Sequence, residues 1–141
     1  MVEDSIEFRV RYAETDQMKY VYYGHYAQYF EMGRTELIRS LGITYKDMEE
    51  TWGIMLPVRS LEVKYYKAAR YDDLLRLTST IHKPPQASIE IEHKVFRLGI
   101  DEPELLAIGK VVLVFVNKSS MRPVRTPEMF LDALRNANGK I

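Results

Sequence analysis

The chain of 141 residues carries 20 Lys and Arg against 20 Asp and Glu, has no Cys and is 46% hydrophobic. That suits a single domain, able to bury roughly two-thirds of its unfolded surface without disulfides or structural metals. The missing cysteines exclude disulfides, Cys-ligated zinc, iron–sulfur clusters and Cys nucleophiles, and they fit a reducing compartment. Zero net charge argues against a general nucleic-acid binder, which needs a positive field matched to phosphate, and it favours self-association because colloidal repulsion is weak.

Residues 1–7 are acidic and lack the apolar core of a signal sequence, and the longest aliphatic–aromatic run, 111–116, is far too short to span a bilayer. The expectation is a cytoplasmic protein without membrane insertion. Residues 5–12 alternate, with Ile6, Phe8, Val10 and Tyr12 on one side, which predicts a strand with one buried face. Residues 24–41 predict a helix: Tyr26, Tyr29, Phe30, Gly33, Leu37 and Leu41 recur at spacings of three and four, and Gly42 ends it. Residues 47–51 read as a short second helix or turn. Strands follow around Leu61, Val63 and Tyr65, over 74–81 with Leu75, Leu77 and Ile81 sharing a face, and around Ile89, Ile91, His93 and Val95, separated by Tyr71-Asp72-Asp73, Pro84-Pro85 and the 99–103 breaker. The run 111–116 does not alternate and is expected to be buried on both faces. A short helix follows Pro127, and 136–141 is expected to be a frayed tail.

Strand, long helix and four successive strands with short connections imply an α+β domain over 1–141 with a five-stranded antiparallel sheet. One helix covers one face of such a sheet, so a second subunit is the economical cover for the 111–116 strand.

The sequence holds no GxSxG elbow, P-loop or GxGxxG. His25, His82 and His93 lack metal-ligand spacing. His82, beside Pro84-Pro85, reads as a solvated loop residue, and His93 as a hydrogen-bonded core or interface residue. Base stacking by the tyrosine-rich 12–29 segment would need a basic groove, and that segment has one Lys and no Arg.

The informative stretch is 12–26. Asp16 falls in a loop between a strand ending near Tyr12 and a helix beginning near Gly24. Free N–H groups and the positive dipole end mark the helix start. A carboxylate beside a carbonyl that rests on those N–H groups is a minimal acyl-transfer site. The competing reading is that Asp16 only caps a turn or the helix.

Tyr12, Thr15, Asp16, Val21, Tyr22, Tyr23 and Tyr26, followed by Phe30-Glu31, Arg34, Thr35 and Glu36, resemble the first motif block of the hotdog-fold acyl-CoA thioesterases, specifically the 4-hydroxybenzoyl-CoA thioesterase family and its Tol-Pal-associated, YbgC-like branch. Residues 59–73, Arg-Ser-Leu-Glu-Val-Lys-Tyr-Tyr-Lys-Ala-Ala-Arg-Tyr-Asp-Asp, resemble a second, less specific block. The likeness runs from about residue 6 to 134.

The resemblance implies a hotdog fold, a five-stranded sheet wrapped around the long helix, with Gly33 allowing their close approach. It implies hydrolysis of an acyl-CoA substrate to free acid and CoA, in a homodimer or homotetramer that shares active sites; no cofactor and no metal are expected, because the sequence has neither clustered metal ligands nor a nucleotide fingerprint. Asp16 would be nucleophile or general base, and the Tyr23 backbone N–H would polarise the thioester carbonyl, with the Tyr23 ring lining the acyl pocket. Tyr22, His25, Lys83 and Ser88 are the expected substrate contacts, and Glu31 and Arg34 are expected to pack and form ion pairs. Further cations available for the phosphates of CoA are Arg59, Lys64, Lys67, Arg70, Lys118, Arg122 and Arg125.

Lys19, His25 and Ala68 stand where the family pattern has Gly, Asn and Pro. A Gly can take φ > 0, which Lys resists; Lys19 is compatible with slowed turnover and with a contact to a substrate anion. His25 near Asp16 is compatible with an acid or water-orienting role and with replacing Asn in a structural hydrogen bond. Competing activities on this fold are hydration or dehydration of acyl thioesters, favoured only by His25 beside Asp16, and non-catalytic acyl-thioester binding, favoured by Lys19.

Overall fold

A computed structural model describes residues 1–138. In chain order, β1 (Val2–Arg9) leads through a 3-10 turn (Tyr12–Glu14) to α1 (His25–Ser40), and α2 (Tyr45–Asp47) continues into a π turn (Met48–Trp52). There follow β2 (Ile54–Met55), β3 (Val58–Tyr65), β4 (Leu74–Ile81), β5 (Ser88–Leu98), β6 (Glu104–Val114), β7 (Val116–Asn117) and α3 (Glu128–Asn138). The main sheet runs β1-β4-β5-β6-β3 with antiparallel neighbours throughout, and β2 pairs with β7. The expected α+β class and five-stranded antiparallel sheet are both present.

β1 starts and ends earlier than the alternation predicted. Its buried face begins at Val2, while Tyr12 is exposed in the 3-10 turn. The Glu14 carboxylate causes this: it accepts the Arg11 N–H at 2.8 Å and draws the chain out of the strand. α1 buries Tyr26, Tyr29, Phe30, Gly33, Leu37 and Ile38 against β1 and β4. Gly33 is required where the helix meets β4, since a Cβ there would lie 2.7 Å from Leu77 Cδ2. Gly109 of β6 plays the same part under the Phe30 ring, which would collide with a side chain at that position.

β6 begins before the predicted run because a bulge hides its first half. Phe96 pairs with Leu105 and Val95 with Ala107, so Leu106 is an extra residue, and both Leu106 and Ala107 are buried. Within one chain the 111–116 run is not covered on both faces. Val111, Leu113 and Phe115 are buried, whereas Val112 and Val114 are half-buried opposite Glu90 and Ser88. β3 departs further from expectation: α1 lies over the β1–β4 half of the sheet and leaves the β3 edge poorly covered, with Val58, Leu61 and Tyr65 48%, 44% and 49% exposed. After Pro127, α3 runs for 11 residues, with Phe130 edge-on to Phe115 at 5.3 Å. Asn136 to Asn138, expected to begin a frayed tail, belong to this helix; the rest of that expected tail, 139–141, lies outside the described residues.

His93 is a core residue. Its ring stacks on Phe30 with centroids 4.8 Å apart, and Nδ1 lies 2.8 Å from Ser79 Oγ. Burial, reinforced by the Arg34 charge, lowers its pKa to about 3. The folded state therefore holds a neutral imidazole where the unfolded chain takes up a proton below about pH 6.5, so the stabilisation is complete above that pH and is lost as pH falls towards 3. Urea unfolding between pH 6.5 and 5 should cost the wild type roughly 1–2 kcal/mol more than it costs His93→Gln. Parallel pH profiles would contradict a buried neutral His93.

Candidate active site

The site forms at the end of the sheet where β1 finishes and β4 begins. Asp16 sits in a tight turn: its N–H donates to Tyr20 O (2.8 Å), and Oδ1 accepts from the N–H groups of Met18 (2.9 Å) and Tyr20 (3.3 Å). Oδ2 has no partner among the described residues. The turn-capping role and the chemical role thus coexist, one on each carboxylate oxygen. Lys19 closes the turn at φ 67, the left-handed conformation for which Gly is better suited, and its N–H donates to Asp16 O at 2.9 Å.

The chain then returns beside itself. Thr15 bridges Val21, and Tyr22 N–H donates to Glu14 O at 2.9 Å. The buried Glu14 carboxylate ties this loop to the helix, taking the Tyr29 hydroxyl at 2.9 Å and the Arg11 guanidinium at 3.2 Å. Burial raises its pKa, but the Arg11 N–H, the Tyr29 hydroxyl and the Arg11 guanidinium outweigh burial and leave it below the ordinary glutamate value.

α1 starts after Gly24, whose missing side chain makes room for the Tyr22 ring: a Cβ would lie 2.7 Å from Tyr22 Cε2. His25 N–H donates to Tyr22 O and Tyr26 N–H to Tyr23 O. The Tyr23 N–H has no acceptor among the described residues. The Tyr65 hydroxyl donates to Tyr23 O at 3.2 Å and pins the helix start to the end of β3.

Asp16 and Tyr23 line one cavity of about 340 Å³, together with Met18, Tyr20, Val21, Tyr26, Tyr65, Tyr66, Lys67 and Ala68. The wall is largely aromatic. Burial, aided by the neighbouring Tyr65, pushes the Tyr26 phenol up to about 12, so it stays neutral at physiological pH. Lys67 is the cation of this cavity, paired with Glu104 at 2.7 Å.

Tyr22 and His25 stand beside the cavity rather than in its lining. Tyr22 packs on Tyr23 with centroids 4.5 Å apart, and His25 Nδ1 lies 3.2 Å from Gln28 Oε1. Lys83 and Ser88 lie at the far end of the sheet, separated from Asp16 by the 8-residue length of β4, on the order of 25 Å. They border a second cavity, adjacent to a third of about 570 Å³ that Arg125 lines, so the fold gathers Lys83, Ser88 and Arg125 but keeps them away from Asp16 within one chain. Glu31 and Arg34 border an apolar groove with Phe30, Val58 and Leu61, and make no ion pair among the described residues. His82 is exposed, with Nε2 3.2 Å from Glu92 Oε1. Among the described residues no three His, Asp or Glu side chains group as metal ligands, and no helix is long and apolar enough to cross a membrane.

Glu14 and Tyr65 were not singled out by sequence reasoning. Glu14 looks like one more charge in a polar loop. Tyr65 follows the apolar alternation of a strand, so its hydroxyl contact with the helix start leaves no periodic signal.

A long helix on a five-stranded antiparallel sheet, with a carboxylate loop ahead of the helix, defines a hotdog-fold protein. Residues 10–134 match the model of the thioesterase-like superfamily, 4HBT_2, and the chain belongs to that family. The acyl-CoA thioesterase YbgC of Haemophilus influenzae is 30% identical over 130 residues, 91% of this chain and 93% of its own. YneP of Bacillus subtilis is 43% identical over 76 residues, 54% of this chain, and that stretch spans about half of YneP, 51%. The solved structure of a DHNA-CoA thioesterase from Staphylococcus aureus superposes with a TM-score of 0.85 at 31% identity, covering 99% of this chain and 91% of that one.

Lys19 offers a direct check on the turn. Lys19→Gly removes a left-handed Cβ penalty of about 1–2 kcal/mol and adds unfolded-chain entropy worth about 0.4–1 kcal/mol. The variant should therefore be more stable by up to about 1.5 kcal/mol in urea unfolding. A clear loss of stability would show that the lysine side chain makes a compensating contact.

Proposed function

We propose that the chain, as a single hotdog domain, is an acyl-CoA thioester hydrolase whose reaction runs between Asp16 and the start of α1. One observation carries the reading: Asp16 has one carboxylate oxygen fixed by two loop N–H groups, and it shares a cavity with Tyr23; among the described residues the other Asp16 oxygen and the Tyr23 N–H are both unpaired. The Tyr23 N–H takes the thioester carbonyl oxygen, and the helix dipole favours the negative charge that develops there. Asp16 Oδ2 then either attacks the carbonyl carbon, expelling CoA thiolate and leaving a mixed anhydride that water hydrolyses, or removes a proton from the water that attacks directly. Both routes give free acid and CoA and need no cofactor. The aromatic wall suits the acyl group, and the cysteine-free sequence fits the cytoplasm.

The proposed enzyme is at least a homodimer. β3 is an edge strand with exposed Val58, Leu61 and Tyr65, whereas the opposite edge, β1, presents Glu3, Ser5, Glu7 and Arg9 outward, a pattern that discourages pairing. Antiparallel pairing of two β3 strands about a two-fold axis reverses the sheet direction in the second copy. Its Lys83–Ser88 hairpin then lies on the Asp16 side, which supports a CoA contact across the interface.

Asp16→Asn should lower kcat by roughly 10²–10⁴-fold for a lost general base, and by at least as much for a lost nucleophile, with a modest change in KM. A variant that keeps more than about a tenth of wild-type kcat would end the carboxylate assignment. Sedimentation at micromolar concentration should give at least twice the 16.5 kDa chain mass, and Leu61→Glu should shift the protein towards monomer. A monomeric wild type would rule out the shared interface.

A further inference from the structure

We infer that Arg97 is a positioning residue for the thioester site, holding the loop that forms one wall of the Asp16 cavity and, through that loop, the Asp16 turn itself. The inference rests on the proposed function for its kinetic consequence and on geometry alone for its structural one.

Arg97 lies at the end of β5, and none of its atoms lines the cavity. Its guanidinium nevertheless gathers three polar anchors of the 66–73 loop that joins β3 to β4, two directly and one through Glu104. Nη1 donates to Ala68 O at 2.9 Å and to Asp73 Oδ2 at 3.0 Å. Nε and Nη2 donate to Glu104 Oε2 at 3.2 and 2.9 Å, and Glu104 Oε1 in turn takes Lys67 Nζ at 2.7 Å. Asp73 Oδ2 also accepts the Arg70 N–H at 2.8 Å. One planar fork thus holds the loop at Ala68 and at Asp73 and, through Glu104, the Lys67 side chain just before Ala68. Lysine, a single point charge, cannot reproduce that geometry.

The loop passes this constraint to the site on two sides. Tyr66, Lys67 and Ala68 are cavity wall, with the Tyr66 and Lys67 N–H groups seated on Leu106 O at the β6 bulge. Ala69 O accepts the Val21 N–H at 2.8 Å, Arg70 bridges Tyr20, and the Arg70 guanidinium stands 5.4 Å from the Tyr20 ring centroid. Tyr20 is the residue whose N–H and C=O close the Asp16 turn. Releasing the fork therefore loosens the acyl wall and the aim of the carboxylate together, and small misplacements of a reacting group are costly in rate.

The test compares Arg97→Gln and Arg97→Lys with the wild type, using Arg76→Gln, an exposed pair partner of Glu7 on β4, as a control. Kinetics are read by thiol release from acyl-CoA well below the melting temperature, and amide hydrogen exchange is read in parallel. Both Arg97 variants should lose roughly 10- to 100-fold in kcat/KM, through KM as well as kcat, and Arg76→Gln should lose none. Exchange at the Val21 amide should quicken by at least about tenfold while that at Leu77 and Val95 in the core stays slow, since the opening is local. Glu104→Gln combined with Arg97→Gln should cost less than the sum of the single changes. Unchanged Val21 exchange, or an increase spread evenly over the core amides, would overturn the inference. So would wild-type kcat/KM in Arg97→Gln. If the wild type releases no thiol at all, the proposed function fails, and the exchange arm still decides the positioning role.

Discussion

The close approach of α1 to the sheet is the constraint on which the rest depends. Gly33 lets the helix settle on Leu77 and Ser79, and Gly109 lets the Phe30 ring reach β6 and stack on His93. Glycine is used here for the absence of a side chain, since neither residue has a positive φ. Burying Phe30 and its aliphatic neighbours contributes about 1.5–3 kcal/mol each, but the larger consequence is positional. With the helix fixed over β1 and β4, its N-terminus can only emerge where β1 ends, beside the Asp16 turn and the loop before β4. The geometry of the proposed site is thereby inherited from core packing.

Around that fixed helix start, each loop is tied by a charged or hydroxyl group to a different element. Glu14 joins the 3-10 turn to Tyr29 of α1, Tyr65 joins β3 to the Tyr23 carbonyl, and Arg97 joins β5 to the 66–73 loop. These ties hold the Asp16 carboxylate and the Tyr23 N–H, unpaired among the described residues, in fixed positions; in the proposed reaction that is preorganisation, which stabilises developing charge without reorganising. The free energy of folding is thus partly invested in aim. The Lys19 turn shows the same logic locally, since a left-handed lysine is tolerated where the turn it closes holds Asp16.

Much of the fold was legible in the sequence because its inner face is regular. The spacing of Tyr26, Tyr29, Phe30, Gly33 and Leu37 locates the helix, and the alternation through Leu75, Leu77 and Ile81 and through Ile89, Ile91, His93 and Val95 locates two central strands. What was not legible breaks a period or depends on distant residues. The Leu106 bulge scrambles alternation in the first half of β6, and Glu14 ends β1 early by bending the chain at Arg11. The two-sided burial expected at 111–116 is not met within one chain, where Val112 and Val114 stay half-covered. At the candidate site, Asp16 lies in a turn ahead of the helix, as its place in the sequence implied. The separation of Lys83 and Ser88 from it follows from strand order, which periodicity does not encode.

In the proposed function this cavity turns over thioesters rather than only binding them. The direct measurement is thiol release by the wild-type protein across a panel of acyl-CoA esters with aromatic, short-chain and medium-chain acyl groups. Many turnovers are expected on at least one ester, with free acid and CoA formed in equal amounts and no added cofactor. Saturable binding of acyl-CoA with no thiol release from any member of the panel would contradict it.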